Sequence, residues 1–140
     1  MKILMDTNVV LDAIAAREPF CKDAQRIINL ILDGRLEGYI TASSVTDIYY
    51  IARKHLNKNN LHRAMQSLFA TFYIIDVLGA DCKKALDFPL DDYEDALILV
   101  CSDRAVIDCI ISRDKELLEK ANFSVPVISP AHFLLKNADL

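Results

Sequence analysis

The chain has 140 residues, a formal net charge of −4, and 53% hydrophobic and 26% charged residues. That length fits one domain, residues 1–140, large enough to bury a core without metal or disulfide staples. The charge excludes a generally basic nucleic-acid binder, so any such contact must come from local clustering. Cys21, Cys82, Cys101 and Cys109 form no C-x-x-C pair and no zinc-finger spacing with histidine, which reads as reduced thiols. No stretch has a signal-peptide layout or the length to span a bilayer, so the expected location is the cytoplasm, with no membrane partner.

In chain order, Lys2–Met5 reads as a buried strand ended by Asp6. Helices follow over about 8–15 and 19–32, the second closed by Asp33-Gly34. Gly38–Thr41 is a second strand. Helices over about 44–56 and 61–70 flank the polar turn Asn57–Asn60. The aromatic and β-branched run Phe72–Val77 is a third strand. Helices over about 80–87 and 92–104 lead to a fourth strand, Asp108–Ser112, and Val125–Ile128 makes a short fifth that Pro126 places at an edge. Strands alternating with helices predict an α/β fold: three layers, α/β/α, around a parallel sheet of about five strands. Near-continuous apolar strands fit burial on both faces.

On that scaffold four aspartates share one rim. Asp6 ends the first strand and Asp114 follows the fourth. Asp47 falls in the first turn of the helix after the second strand, and Asp95 in the first turn of the helix leading to the fourth. Each has a purely structural reading as a helix cap, and Ser44-x-x-Asp47 and Asp92-x-x-Asp95 resemble capping boxes. Capping needs only one polar residue per helix start, however. Ser44 and Asp92 fill that need, leaving Asp47 and Asp95 without a structural duty. Fifteen of the twenty acids are aspartate, a residue suited to caps, turns and metal sites. Two carboxylates about 5 Å apart repel by roughly 3 kcal/mol at an effective dielectric of about 20. Raised pKa values or a bound cation relieve such crowding. Oxygen-only donors select Mg²⁺ or Mn²⁺, and a metal-loaded acidic rim suits a phosphate-containing substrate.

The set Asp6-Thr7-Asn8-Val9, the acid Asp47, Asp92-Tyr93-Glu94-Asp95-Ala96-Leu97 and Ser112-Arg113-Asp114 resembles the PIN domain, in its small stand-alone form typified by VapC-like toxin ribonucleases. The resemblance covers essentially the whole chain. It implies a metal-dependent endoribonuclease with Asp6, Asp47, Asp95 and Asp114 as both catalytic and metal-binding residues. Thr7, Asn8, Ser112 and Arg113 then position water or phosphate. It also implies an RNA substrate, a homodimer and an antitoxin partner. One departure stands out: the second acid is more often Glu in this family, and Asp47 is a methylene shorter. Glu94 and Asp92 are neighbours able to contribute, Asp92 mainly as a cap. Asp12 reads as a surface or helix-network residue.

Arg53, Lys54, Lys58 and Arg63 concentrate positive charge in an acidic chain, beside Tyr49 and Tyr50. They read either as an RNA backbone contact with stacking aromatics or as a solvated helix end. His55 and His62 read as surface residues, and His132 has no assignable role. Two other functions compete with the nuclease. A phosphatase using Asp6 as nucleophile ordinarily needs a second aspartate at position 8, which is Asn8. A catalytically impaired PIN-like module that binds RNA or protein draws its support from Asp47.

Overall fold

The computed structural model describes residues 1–120 and 123–140. Five parallel strands, β1 (Lys2–Met5), β2 (Glu37–Thr41), β3 (Tyr73–Ile75), β4 (Cys109–Ile111) and β5 (Val127–Ile128), form one sheet in the order β3-β2-β1-β4-β5. Helices α1 (Thr7–Ile14) and α2 (Cys21–Leu32) join β1 to β2, and α3 (Ala42–Ala52) and α4 (Lys58–Thr71) join β2 to β3. Helices α5 (Gly79–Leu86) and α6 (Tyr93–Arg104) lead to β4, α7 (Lys115–Glu119) to β5, and α8 (Pro130–Lys136) follows.

The period-two alternation of a strand divides the core into two layers. Ile3 and Met5 of β1, with Cys109 and Ile111 of β4, pack against α1, α2, α3, α4 and α8. Leu4 and Ile110 face the other way, with Ile75, onto α5, α6 and α7. All three apolar residues of β1 are fully buried, as a central parallel strand requires. The three-layer architecture is therefore the one the sequence predicts.

Several boundaries differ for identifiable reasons. Thr41 both ends β2 and caps α3, its Oγ1 accepting the Ser44 N–H at 3.2 Å. The helix thus begins at Ala42, which places Asp47 in its second turn and gives the cap to Thr41 in place of Ser44. Asn57 caps α4 by accepting the Asn60 N–H at 2.8 Å, so most of the expected polar turn is already helix. Before α2, the Phe20 and Cys21 amides close a turn on the Arg17 carbonyl at 3.0 and 2.8 Å, delaying the helix to Cys21. Beside β5, the Pro126 carbonyl still accepts the Ile110 N–H at 2.9 Å, while the ring donates nothing. The short helices α7 and α8 were not expected.

Below the sheet a buried ion pair locks α5 to α6. Asp81, 4% exposed, receives Arg104 Nε at 3.0 and 3.1 Å and the Leu78 N–H at 2.9 Å. Arg104 also donates to the Asp76 carbonyl, tying the end of α6 to the segment after β3. The Arg104 guanidinium holds the Asp81 carboxyl below the usual carboxylate range. A depressed carboxylate pKa stabilises the fold above the ordinary aspartate range, and that contribution is lost as pH falls through the folded-state value. Breaking a fully buried pair costs roughly 3–5 kcal/mol, and the partial exposure of Arg104 lowers the expectation for Arg104→Met to about 2 kcal/mol. Denaturant titrations at neutral and acid pH should show this cost at neutral pH and a smaller gap in acid.

Candidate active site

In a parallel sheet, strand order reverses at the strand flanked by both directions of winding. Here that point lies between β1 and β4, where the C-terminal strand ends leave a crevice. Asp6 and the Ser112–Asp114 loop occupy it. The Asp6 N–H donates to the Ile111 carbonyl at 2.9 Å, joining the two strand ends directly.

Asp6 stands at the N-cap position of α1, with extended backbone, yet its side chain makes no capping hydrogen bond. Its Oδ2 instead accepts the Ser112 hydroxyl at 2.8 Å. Ser112 Oγ in turn accepts the Asp114 N–H at 3.0 Å, and Asp114 Oδ1 caps α7 through the Leu117 N–H at 3.1 Å. A continuous chain of hydrogen bonds therefore runs from Asp6 to the start of α7. Burial of Asp6 raises its pKa, assisted by the Asp114 charge and opposed by the Ser112 hydrogen bond and Arg113.

The first turn of α6 closes the rim from the other side. Asp92 is the cap, accepting the Asp95 N–H at 3.1 Å, which frees Glu94 and Asp95. Asp95 is half-buried and pushed up to about 7, first by desolvation and then by Asp6, Asp92, Asp114 and Glu116. Glu94 also rises to about 7, by desolvation, a hydrogen bond shared with Asp47, and the charges of Asp47, Asp6 and Asp92. Helix α3 thus delivers Asp47 to Glu94, and Asp6, Asp95 and Asp114 act on one another as neighbouring charges. Among the described residues, no Lys, Arg or His forms an ion pair with Asp6, Asp47, Glu94, Asp95 or Asp114. The other two buried aspartates, Asp12 and Asp81, are both paired with arginine.

These residues fit a hard divalent cation. The donors are all oxygen, and among the described residues none is in an ion pair and the buried Thr7 Oγ1 beside Asp6 has no hydrogen-bond partner. Among the described residues, no three Asp, Glu, His or Cys side chains close into a ready-made cage. An open arrangement of this kind suits Mg²⁺, which keeps several waters and takes one or two carboxylates.

The remaining sequence candidates divide. Ser112 is buried at the centre of the rim, and Asn8 is exposed, its carbonyl accepting Arg17 Nη2 at 2.9 Å. Arg113 does not point to an open phosphate position. Its Nε and Nη2 donate to Asp12 at 2.7 and 3.1 Å, and its guanidinium lies 4.3 Å from the centre of the Phe20 ring. Asp12 belongs to a helix network, as one sequence reading had it, but is 1% exposed and so is no surface residue. Its signal was a lone acid among Val9, Val10, Leu11, Ala13 and Ile14, on a helix apolar nearly all round. Arg53, Lys54, Lys58 and Arg63 are all exposed. Arg53 lies 4.9 Å from the centre of the Tyr50 ring, and Tyr50 is one helical turn beyond Asp47. Lys58 and Arg63 line a groove of about 860 Å³ between α3 and α4, with Tyr49 and Tyr50.

A model of the PIN domain matches residues 2–116. Among solved structures, a toxin–antitoxin complex from Klebsiella pneumoniae is 21% identical, covering 91% of this chain and 97% of that one, with a TM-score of 0.68. VapC20 of Mycobacterium tuberculosis, described as a sarcin-ricin loop cleaving toxin, is 14% identical over 86% of this chain and 95% of its own, also with a TM-score of 0.68. VapBC2 of Rickettsia felis, bound to a promoter DNA fragment, is 11% identical over 92% and 98%, with a TM-score of 0.66. No curated protein sequence matches significantly. At these identities the solved structures speak for the shared fold, and the family match, spanning most of the chain from β1 into α7, shows that this chain belongs to the PIN domain family.

Proposed function

We propose that this protein is a divalent-cation-dependent endoribonuclease, working through one domain over residues 1–140, and the toxin of a toxin–antitoxin pair. The observation that carries the reading is the group of acids around Asp6 at the β1/β4 crevice: Asp114 is joined to it through Ser112, its charge acts on Glu94 and Asp95, Asp47 adjoins Glu94, and among the described residues none is in an ion pair. Asp6, Asp95 and Asp114 would hold Mg²⁺ or Mn²⁺, with Asp47 joined to Glu94 extending the donor set. A cation bound there supplies Lewis-acid polarisation of a phosphodiester oxygen and lowers the pKa of an attacking water. The protein's own residues orient the parts. Ser112 Oγ fixes the Asp6 carboxylate, and the unpartnered Thr7 hydroxyl is free to donate to a water or phosphate oxygen. Arg53, Lys54, Lys58 and Arg63 would carry the RNA backbone, with Tyr50 offering a base-stacking face.

The Glu94–Asp47 contact bears on the shortened second acid. Glu94 places a longer carboxylate beside Asp47, which supports retained activity over the impaired-module reading.

For the antitoxin, an apolar groove of about 500 Å³ between α1, α2 and α4, lined by Val10, Ile14, Ile28, Leu56 and Phe72, suits an amphipathic segment. The similar structure from Klebsiella pneumoniae is a toxin–antitoxin complex. A homodimer formed through exposed apolar residues and a cytoplasmic location complete the reading. No described helix is long and apolar enough to cross a membrane, and all four cysteines are free.

Asp6→Asn and Asp95→Asn should each lower Mn²⁺-dependent RNA cleavage by more than about a hundredfold, beyond the roughly 10–100-fold that losing an outer-shell partner costs. Circular dichroism should show both variants folded, and full activity in either would overturn the assignment. Metal-free stability should move the opposite way. A carboxyl raised in the folded state costs stability as pH climbs from the ordinary aspartate range to about 7. Asp95→Asn removes that charge, so in chelator at pH 8 its Tm should exceed wild type by about 3 °C or more, with the gain fading near pH 5. A lower Tm at pH 8 would mean that the carboxylate has a structural partner.

A further inference from the structure

Arg113 poses a problem of proximity. It lies in sequence between Ser112, which donates to Asp6, and Asp114, whose amide donates to Ser112, and its charge already acts on Asp6. An arginine beside a set of unneutralised carboxylates ordinarily takes one of them as a bidentate partner. Arg113 does not. Its guanidinium is spent on Asp12, at 2.7 and 3.1 Å, and its face is covered by Phe20 at 4.3 Å.

Asp12 is nearly inaccessible at 1% exposure, on a helix whose neighbouring residues Val9, Val10 and Leu11 are core. A second arginine, Arg17, five residues along the same segment, brings its Nε to 2.9 Å from Asp12 but without hydrogen-bond geometry. Arg17 thus adds counter-charge, and the side-chain hydrogen bonds to Asp12 come from Arg113.

We propose that Asp12 is a positioning residue that holds the Arg113 guanidinium away from the acidic rim and so keeps the rim open to a divalent cation. This rests on the cation reading given above. With Asp12 neutral, Arg113 is free to swing onto Asp6 or Asp114, replacing a cation by an internal ion pair. Asp12 touches neither substrate nor cation and acts only through Arg113.

The test is calorimetric titration of Mn²⁺ into the full chain as wild type, Asp12→Asn, Arg113→Met and the double variant. Asp12→Asn should weaken Mn²⁺ binding by about tenfold, the low end for an outer-shell partner. The double variant should recover wild-type affinity, because the competing guanidinium is gone. A role limited to stapling α1 to the loop predicts no recovery. Wild-type affinity in Asp12→Asn, or a double variant as weak as the single, overturns the proposal. Should Asp12→Asn fail to fold, Arg113→Met decides alone: binding at least as tight as wild type supports the proposal, and weaker binding overturns it. A folded wild type that binds no Mn²⁺ overturns the cation reading itself and takes this inference with it, an outcome distinct from the others.

Discussion

The hydrogen bond from Ser112 to Asp6 is the interaction on which the rest of the site depends. It spans two adjacent strands at their C-terminal ends and uses a side chain where the sheet ladder has just run out. Asp6 is 5% exposed and Ser112 is fully buried. Without the hydroxyl, the carboxylate would be left in a low-dielectric crevice with an adverse neighbour at Asp114. The bond satisfies one lone pair and fixes the orientation of the others. Everything that approaches the crevice, from α6 on one side and α7 on the other, does so around a carboxylate whose direction is already set.

The pairing of charges gives the molecule its functional asymmetry. Asp12 and Asp81 show how this chain treats a buried acid outside the rim: each is held by arginine at 3.0 Å or less. The rim acids are treated differently, with a hydroxyl, backbone amides and one another as partners. The repulsion that results is a standing cost to the folded state. Proteins retain such conflicts at sites of function while resolving them elsewhere.

Much of this was legible in the sequence. Apolar strands alternating with amphipathic helices specify double-sided burial, and with it the side of the sheet on which each strand ends. Asp6, Asp95 and Asp114 follow from that logic alone, since each adjoins a strand end or helix start. Asp47 reached the rim by a different route than expected. Thr41 ends β2 and caps α3 at once, an economy that sequence patterning cannot distinguish from a cap at Ser44. Glu94 was visible as a neighbour, but its closeness to Asp47 depends on how α3 and α6 approach each other, and no local periodicity encodes that. The same holds for Arg113, whose partner lies 101 positions away. Side-chain pairings across the sheet are decided by topology, whereas the elements themselves are decided by pattern.

Asp114 carries one further implication. A single carboxylate serves the rim with its charge and begins α7 by accepting the Leu117 N–H at 3.1 Å. The helix it begins is only five residues long, so that one hydrogen bond is a large share of what defines its start. Anything that draws electron density from the Asp114 carboxylate weakens it as an acceptor, and anything that orients the group strengthens the cap. The amide proton of Leu117, held by that carboxylate, thereby becomes a built-in reporter. Its NMR chemical shift and exchange rate register what occupies the rim without a probe attached there.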